Sequence, residues 1–335
     1  MLRESVLYSR SAKNIILCDV CSHHCRLSDG QSGVCGVRLN DNGILIVKNY
    51  AELVTYAVDP IEKKPLYHFL PGSKAYSIAS YGCNFRCGFC QNFAIAQKYQ
   101  NTDKRFIEEV LPEEIVSRVK KTGAESIAYT YTEPTVFLEY VIETAKLAKE
   151  NGLKNVFISN GFFTDKAFEL LVPYIDGYNI DLKSFNDDFY VKYCGGRLEP
   201  VLQTIKRIAD SGKWLEITTL IIPGKNDTLY ELESVASYIA EVSLNIPWHI
   251  TAFYPQNLFL SVPATPIEKM EKAFSIGVKK GLKYVYLGNV ASVERTVCPV
   301  CKKSVIEREG YRISLCNVEN GICVFCGAKI DGVFL

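Results

Sequence analysis

The sequence has almost no net charge. Its 38 Lys and Arg face 37 Asp and Glu, a formal balance of +1 over 335 residues. A chain with no excess of either sign has no general electrostatic pull toward nucleic acid or an anionic membrane. A local basic cleft would vanish in such a sum, so RNA stays open as a substrate. No apolar run approaches the ~20 residues that a membrane-spanning helix needs. The opening Met1-Leu2-Arg3-Glu4-Ser5 lacks the apolar core of a secretory signal, and the chain is expected in the cytoplasm. There is no long repeat and no low-complexity linker. With 48% hydrophobic and 22% charged residues this is an ordinary globular composition, long enough for a barrel-sized domain with small appendages.

Cysteine, by contrast, is abundant, and its thirteen copies are grouped: four in residues 18–35, three in 83–90 and five in 298–326, with Cys194 apart. In a reducing compartment such groups are better explained by metal than by disulfides. Cys83, Cys87 and Cys90 form the pattern C-x3-C-x2-C. Thiolates at short spacing suit iron–sulfur clusters and zinc. A closed tetrahedral site needs four protein ligands, so three leave one position open, where a substrate or cofactor can bind. Gly82 and Gly88 allow tight turns around a cluster, and Phe89 offers a flat apolar face for a base. The plainer reading is a structural zinc site completed by a distant ligand.

From residue 74 to 290 apolar strand-like runs alternate with amphipathic stretches. Strands are expected at 75–80, 126–131, 155–159, 178–182, 214–222, 248–254 and 284–287. Helices are expected at 112–121, 134–150, 200–209, 228–242 and 266–280. This alternation predicts an α/β fold with parallel strands and helices outside, a partial (βα)6-type barrel of six or seven strands rather than eight. In such folds chemistry sits at the carboxyl ends of strands, where polar residues fall: Thr132 and Glu133 after the second strand, Asn160 after the third, Asp181 and Lys183 at the fourth, and Pro223-Gly224 after the fifth. His249 lies in the sixth. The two-residue period puts Asp181 and Lys183 on one face. For each of these the bland alternative is a turn, a cap or, for Asp181 and Lys183, a buried ion pair. His68 is expected to pack or hydrogen-bond.

Residues 1–60 carry Cys18, Cys21, Cys25 and Cys35. A module this small depends on a metal, and four thiolates complete a zinc tetrahedron. The rival is a second iron–sulfur cluster, because the C-x2-C-x3-C run gathers three thiolates much as residues 83–90 do. His23 and His24 are not needed as ligands. Residues 295–335 hold Cys298-x2-Cys301 and Cys323-x2-Cys326, paired knuckles that read as a zinc ribbon. Cys316 is surplus and is expected to be a small buried side chain. The expected domains are thus 1–60, a barrel over 61–294, and 295–335.

The loop at 79–92, following a strand and with an aromatic residue before its last cysteine, resembles that of radical S-adenosylmethionine (SAM) enzymes. The resemblance implies that Cys83, Cys87 and Cys90 hold a [4Fe-4S] cluster whose fourth iron is chelated by SAM. The order of this loop, Thr-Glu-Pro, Asn-Gly, Asp-Leu-Lys and Pro-Gly is similar to the glycyl-radical activating enzymes. It implies SAM contacts from Phe89, Thr132, Glu133, Asn160, Asp181, Lys183 and His249. Tyr131-Thr-Glu-Pro134 stands where many relatives have Gly-Gly-Glu. The segments 65–72, 82–92, 249–255 and 284–290, with both terminal cysteine sets, resemble the radical SAM protein of the AmmeMemoRadiSam system. That implies Memo-type and AMMECR-type proteins as partners and an electron donor such as ferredoxin or flavodoxin. Activation of a partner protein as a glycyl radical leads among the functions. Radical modification of a peptide, small molecule or RNA is the alternative, and a non-catalytic metalloprotein is the rival of another class.

Overall fold

The structure, a computed structural model, describes residues 2–11, 14–97, 107–291 and 293–334. One sheet organises them. It opens with β1 (Glu52–Pro60), antiparallel to β2 (Lys74–Ser80). From β2 the strands are parallel and lie side by side in chain order: β3 (Ser126–Tyr129), β4 (Lys154–Ser159), β5 (Gly177–Asp181), β6 (Trp214–Ile221), β7 (Trp248–Ala252) and β8 (Val285–Gly288). The strands between β2 and β8 are buried along almost their whole length, as parallel strands covered on both faces must be.

Six helices fill the crossovers: α1 (Pro112–Thr122), α2 (Leu138–Glu150), α3 (Asp165–Leu171), α4 (Glu199–Asp210), α5 (Leu229–Val242) and α6 (Ile267–Lys279). Their ends follow from local chemistry. α1 starts on Pro112, with Glu113 and Glu114 in its first turn, and stops at Gly123, whose φ of +68° suits a left-handed cap. Its Ile115, Val116 and Val119 face the sheet. α3 is not anticipated by periodicity: seven residues carry little helical period, and only the Thr164 hydroxyl, accepting from the Ala167 N–H, marks its start.

Two expectations shift. The sheet begins at β1, so the boundary after residue 60 cuts between two paired strands. Cys316 is exposed rather than buried, because its short strand (Arg312–Cys316) lies at the edge of a small three-stranded sheet.

The terminal segments sit at opposite ends of the barrel. The N-terminal segment meets the carboxyl ends of the strands: Cys21 bridges Phe163, just beyond β4, and the Ser22 N–H donates to Phe162 O at 3.0 Å. Its Arg38 is buried against Glu139 of α2. The C-terminal segment meets the amino ends. Val333 exchanges backbone hydrogen bonds with His68 and Leu70, at 2.7 Å each, just before β2. Buried Arg308 donates to the Tyr67 carbonyl at 2.6 Å and to Thr296 Oγ1 at 2.9 Å, and its guanidinium stacks 4.4 Å from the Tyr67 ring centre.

Candidate active site at the carboxyl ends of the strands

A cavity of about 300 Å³ opens at the carboxyl ends of the strands. Cys83, Cys87 and Cys90 line it, on the loop that leaves β2. The loop is fastened from several sides. The Arg86 N–H donates to Cys194 O at 2.7 Å and the Gly88 N–H to Tyr193 O at 3.0 Å. The Leu258 N–H donates to Gly88 O at 2.8 Å, and Gln97 Nε2 to Cys87 O at 3.0 Å. A β-carbon on Gly88 would stand 2.8 Å from Phe259 Cε1, so only glycine lets that ring approach. Burial, then Glu133, pushes Cys83 up, and burial pushes Cys90 to about 11. Cys87 adds to the rise of both, while Cys87 itself is raised first by a hydrogen bond with Cys194 and then by burial. A cationic centre that takes the three thiols as thiolates must displace those protons.

Six of the other implied residues line the same cavity: Phe89, Thr132, Glu133, Asn160 and the Asp181–Lys183 pair. Phe89 is buried between Phe189 and Phe259, with ring centres 5.8 and 5.7 Å away. The Thr132 hydroxyl donates to Ser80 O at 2.6 Å. Lys183 Nζ lies 2.8 Å from Asp181 Oδ2. Burial opposes the lysine's charge, but the Asp181 carboxylate together with the nearby Cys87 and Cys194 sulfurs outweighs it and holds Lys183 above the ordinary lysine range.

Glu133 is buried and accepts four hydrogen bonds. Its Oε1 accepts from the Thr135 N–H at 3.1 Å, the Thr135 hydroxyl at 2.5 Å and the Ser159 hydroxyl at 2.8 Å. Its Oε2 accepts from the Asn160 N–H at 2.9 Å. Even so, burial prevails and raises its pKa: all the donors are neutral. Asn160 connects this carboxylate to the cysteine loop, since its Nδ2 donates to Asn84 Oδ1 at 2.7 Å.

His249 does not join them. It sits near the start of β7, buried, with Nε2 2.6 Å from Glu216 Oε2 and its ring against Tyr67 and Tyr286. Glu216 also accepts from the Tyr67 and His68 N–H groups and from Trp214 Nε1. This polar plug fills the amino end of the barrel. Position in the strand explains the difference: Thr251, two residues further on the same face, is the β7 residue that reaches the cavity. His68 belongs to the plug's edge, between Asp331 O and Tyr286 Oη at 2.6 Å each.

Sequence reasoning missed Lys64 and Tyr131, which also line the cavity. Lys64 Nζ is 2.7 Å from Asp59 Oδ2 and 4.2 Å from the Tyr131 ring centre, and the Tyr131 hydroxyl donates to Asp59. Tyr131 has φ +64°, a strain that non-glycine residues carry where the surroundings enforce it. Lys64 could have been noticed only as one lysine of a Lys-Lys-Pro run. Nothing in a single sequence reports a positive φ at a tyrosine.

The parallel barrel and its three-cysteine pocket define a class. Residues 77–236 match the radical SAM superfamily model, and the chain belongs to the radical SAM superfamily. It is 41% identical over 335 residues to an uncharacterised protein of Methanocaldococcus jannaschii, covering 98% of this chain and 99% of that one. It is 24% identical over 166 residues to the pyruvate formate-lyase-activating enzyme of Streptococcus mutans, covering 47% of this chain and 63% of the other. A radical SAM methyltransferase from Sphaerobacter thermophilus superposes with a TM-score of 0.53 at 14% identity, over 66% of this chain and 68% of that one; the likeness is one of fold.

Proposed function

We propose that this protein is a radical SAM enzyme in which Cys83, Cys87 and Cys90 hold a [4Fe-4S] cluster and SAM occupies the adjoining cavity. The observation that carries the reading is the meeting of three thiols, one short of a closed set, with a buried carboxylate that has no cationic partner among the described residues. Once bound and reduced, the cluster supplies the electron that splits the SAM C5′–S bond, leaving methionine and a 5′-deoxyadenosyl radical that takes hydrogen from a substrate.

The chain's own residues do the positioning. Glu133 faces the cavity with a negative charge that neutral donors do not cancel, and it suits the SAM ammonium. Lys183, turned by Asp181, suits the methionine carboxylate. Thr132 and Asn160 frame the site between β3 and β4, and Asn160 ties that frame to the cysteine loop. Phe89, with Phe189 and Phe259, keeps water from one wall.

The kinship with an activating enzyme supports a protein as the substrate. The segments at 65–72, 82–92, 249–255 and 284–290 support a place in the AmmeMemoRadiSam system, with Memo-type and AMMECR-type partners, a ferredoxin or flavodoxin as donor, and a cytoplasmic setting. Zinc at the C-terminal module is supported by Cys298, Cys301, Cys323 and Cys326, whose sulfurs all lie within 4.8 Å of one another. Anaerobic, reconstituted protein given SAM and dithionite should release 5′-deoxyadenosine. Retention of that yield in Cys87→Ala would overturn the assignment.

A further inference from the structure

We propose that Cys18, Cys21, Cys25 and Cys35 hold a second [4Fe-4S] cluster, and that it relays electrons to the cluster at residues 83–90. The proposal rests on the radical SAM reading only for its second half.

Geometry selects the kind of centre. A zinc ion with Zn–S bonds of ~2.3 Å draws its four sulfurs to ~3.8 Å from one another. The C-terminal set has that spacing: Cys298 and Cys326 are 3.7 Å apart, and Cys301 and Cys323 are 3.8 Å apart. The N-terminal four form no group within 4.8 Å, and neither do Cys83, Cys87 and Cys90. A cube of four irons holds its thiolates on the order of 6 Å apart, which suits a wider set. The N-terminal four nevertheless converge, lining one small cavity with Gly33 and Arg38.

Arg38 supplies an independent sign of a ligand. Its side chain is buried, and its two Nη atoms are spent on Glu139 and Ser5. Its Nε–H, at the wall of the cysteine cavity, has no partner. A buried donor left empty is costly. An anionic cluster with its thiolates supplies the acceptor, and such N–H···S bonds are one way a protein sets a cluster's potential.

Position supplies the role. The two cysteine loops touch. A β-carbon on Gly82, the residue before Cys83, would stand 3.2 Å from the Cys35 carbonyl oxygen. His23, between Cys21 and Cys25, has Nε2 2.7 Å from Asn84 O. Arg86 joins Val34 O to Cys83 O through its guanidinium. One electron from an external one-electron donor reduces the N-terminal cluster. The same electron then passes to the cluster at 83–90, so the N-terminal cluster ends in the state in which it began.

The test starts with the full chain reconstituted anaerobically. About eight irons and one zinc per chain are expected; about four irons and two zincs overturn the proposal. A chain carrying Cys83→Ala, Cys87→Ala and Cys90→Ala should keep about four irons and, on reduction, a paramagnetic signal that SAM does not alter. Loss of all iron from that chain would also overturn it. For the relay, a Cys21→Ser, Cys25→Ser chain should bind SAM normally but lose roughly tenfold or more of its flavodoxin-driven 5′-deoxyadenosine formation; an unchanged rate refutes the relay. The iron count does not depend on SAM cleavage. Failure of the radical SAM reading would show instead as no 5′-deoxyadenosine from wild-type protein with a full iron count.

Discussion

Glu133→Gln tests the site at its most specific point. The carboxylate receives four donors, three on Oε1 and one on Oε2. A carboxamide of the same shape can accept on one side only. Its NH2 must then face either the Asn160 N–H or the donors of Thr135 and Ser159. At least one buried donor is left unpaired, at a cost of about 1–3 kcal/mol. In the proposed SAM site the substitution also removes the negative charge offered to the ammonium. A hydrogen bond to a charged group is worth about 1.5–3 kcal/mol, which corresponds to roughly a 10- to 150-fold weaker Kd. The assay is calorimetric titration of SAM into anaerobic protein with its iron in the oxidised state, where no turnover confuses binding. Iron content should match wild type. Ser159→Ala is the control, since it removes one neutral donor and leaves the charge; its Kd should move by about twofold. If Glu133→Gln binds SAM as tightly as Ser159→Ala, the carboxylate is only the cap of the helical turn at Pro134 and the reasoning fails.

Lys183→Ala should weaken SAM binding while iron content holds; a large loss of stability with unchanged affinity would make Lys183 and Asp181 a structural ion pair. Gly196→Ala should destabilise the protein by about 1–3 kcal/mol and reduce iron uptake, because a β-carbon there would lie 2.3 Å from Phe85 Cε1 in the cysteine loop; a melting temperature equal to wild type would contradict the packing. His68 should make the fold acid-sensitive. Burial lowers its pKa from 6.5 to about 4, so the unfolded chain takes the proton first as pH falls. The stability it contributes is complete above pH ~6.5 and is lost down to pH ~4, about 3 kcal/mol in all. Denaturant titrations across that window should show the slope in wild type and a flatter one in His68→Gln, and equal slopes would refute it.

The barrel was legible in the sequence because its strands and most of its helices carry their periods locally. All seven parallel strands fall where apolar runs stand, within one to two residues. The short helix Asp165–Leu171 was not legible, since one capping threonine is too little signal. The site was half legible. Cys83, Cys87 and Cys90 are neighbours in the chain, and Glu133, Asn160 and Asp181 mark strand ends, where topology brings separate loops together. His249 misled because a histidine within a strand reads the same at either end of it. Only the register of β7 against β6, with His249 opposite Thr218 and near Glu216, puts it below the cavity. Lys64 and Tyr131 reach the site through Asp59 on β1, a long-range contact that no local pattern announces.

The two cysteine-rich ends also differ in what their loss should do. The C-terminal set is anchored at the amino ends of the strands through Arg308, Asp331 and Val333. The cavity proposed to take SAM lies at the carboxyl ends. A strand of seven residues such as β2 spans about 20 Å, and between the two lies the plug of Glu216, His249, Tyr67 and Tyr286. Cys301→Ala should therefore release the metal proposed at the C-terminal set and lower the melting temperature, because Arg308 would be left buried in a loosened pocket. SAM affinity should stay within about twofold of wild type, since additivity holds for sites this far apart. Metal analysis, a thermal melt and a SAM titration on the same preparation decide it. A large fall in SAM affinity with the barrel still folded would mean that the plug transmits strain along its length, and that the C-terminal module does more than close the base.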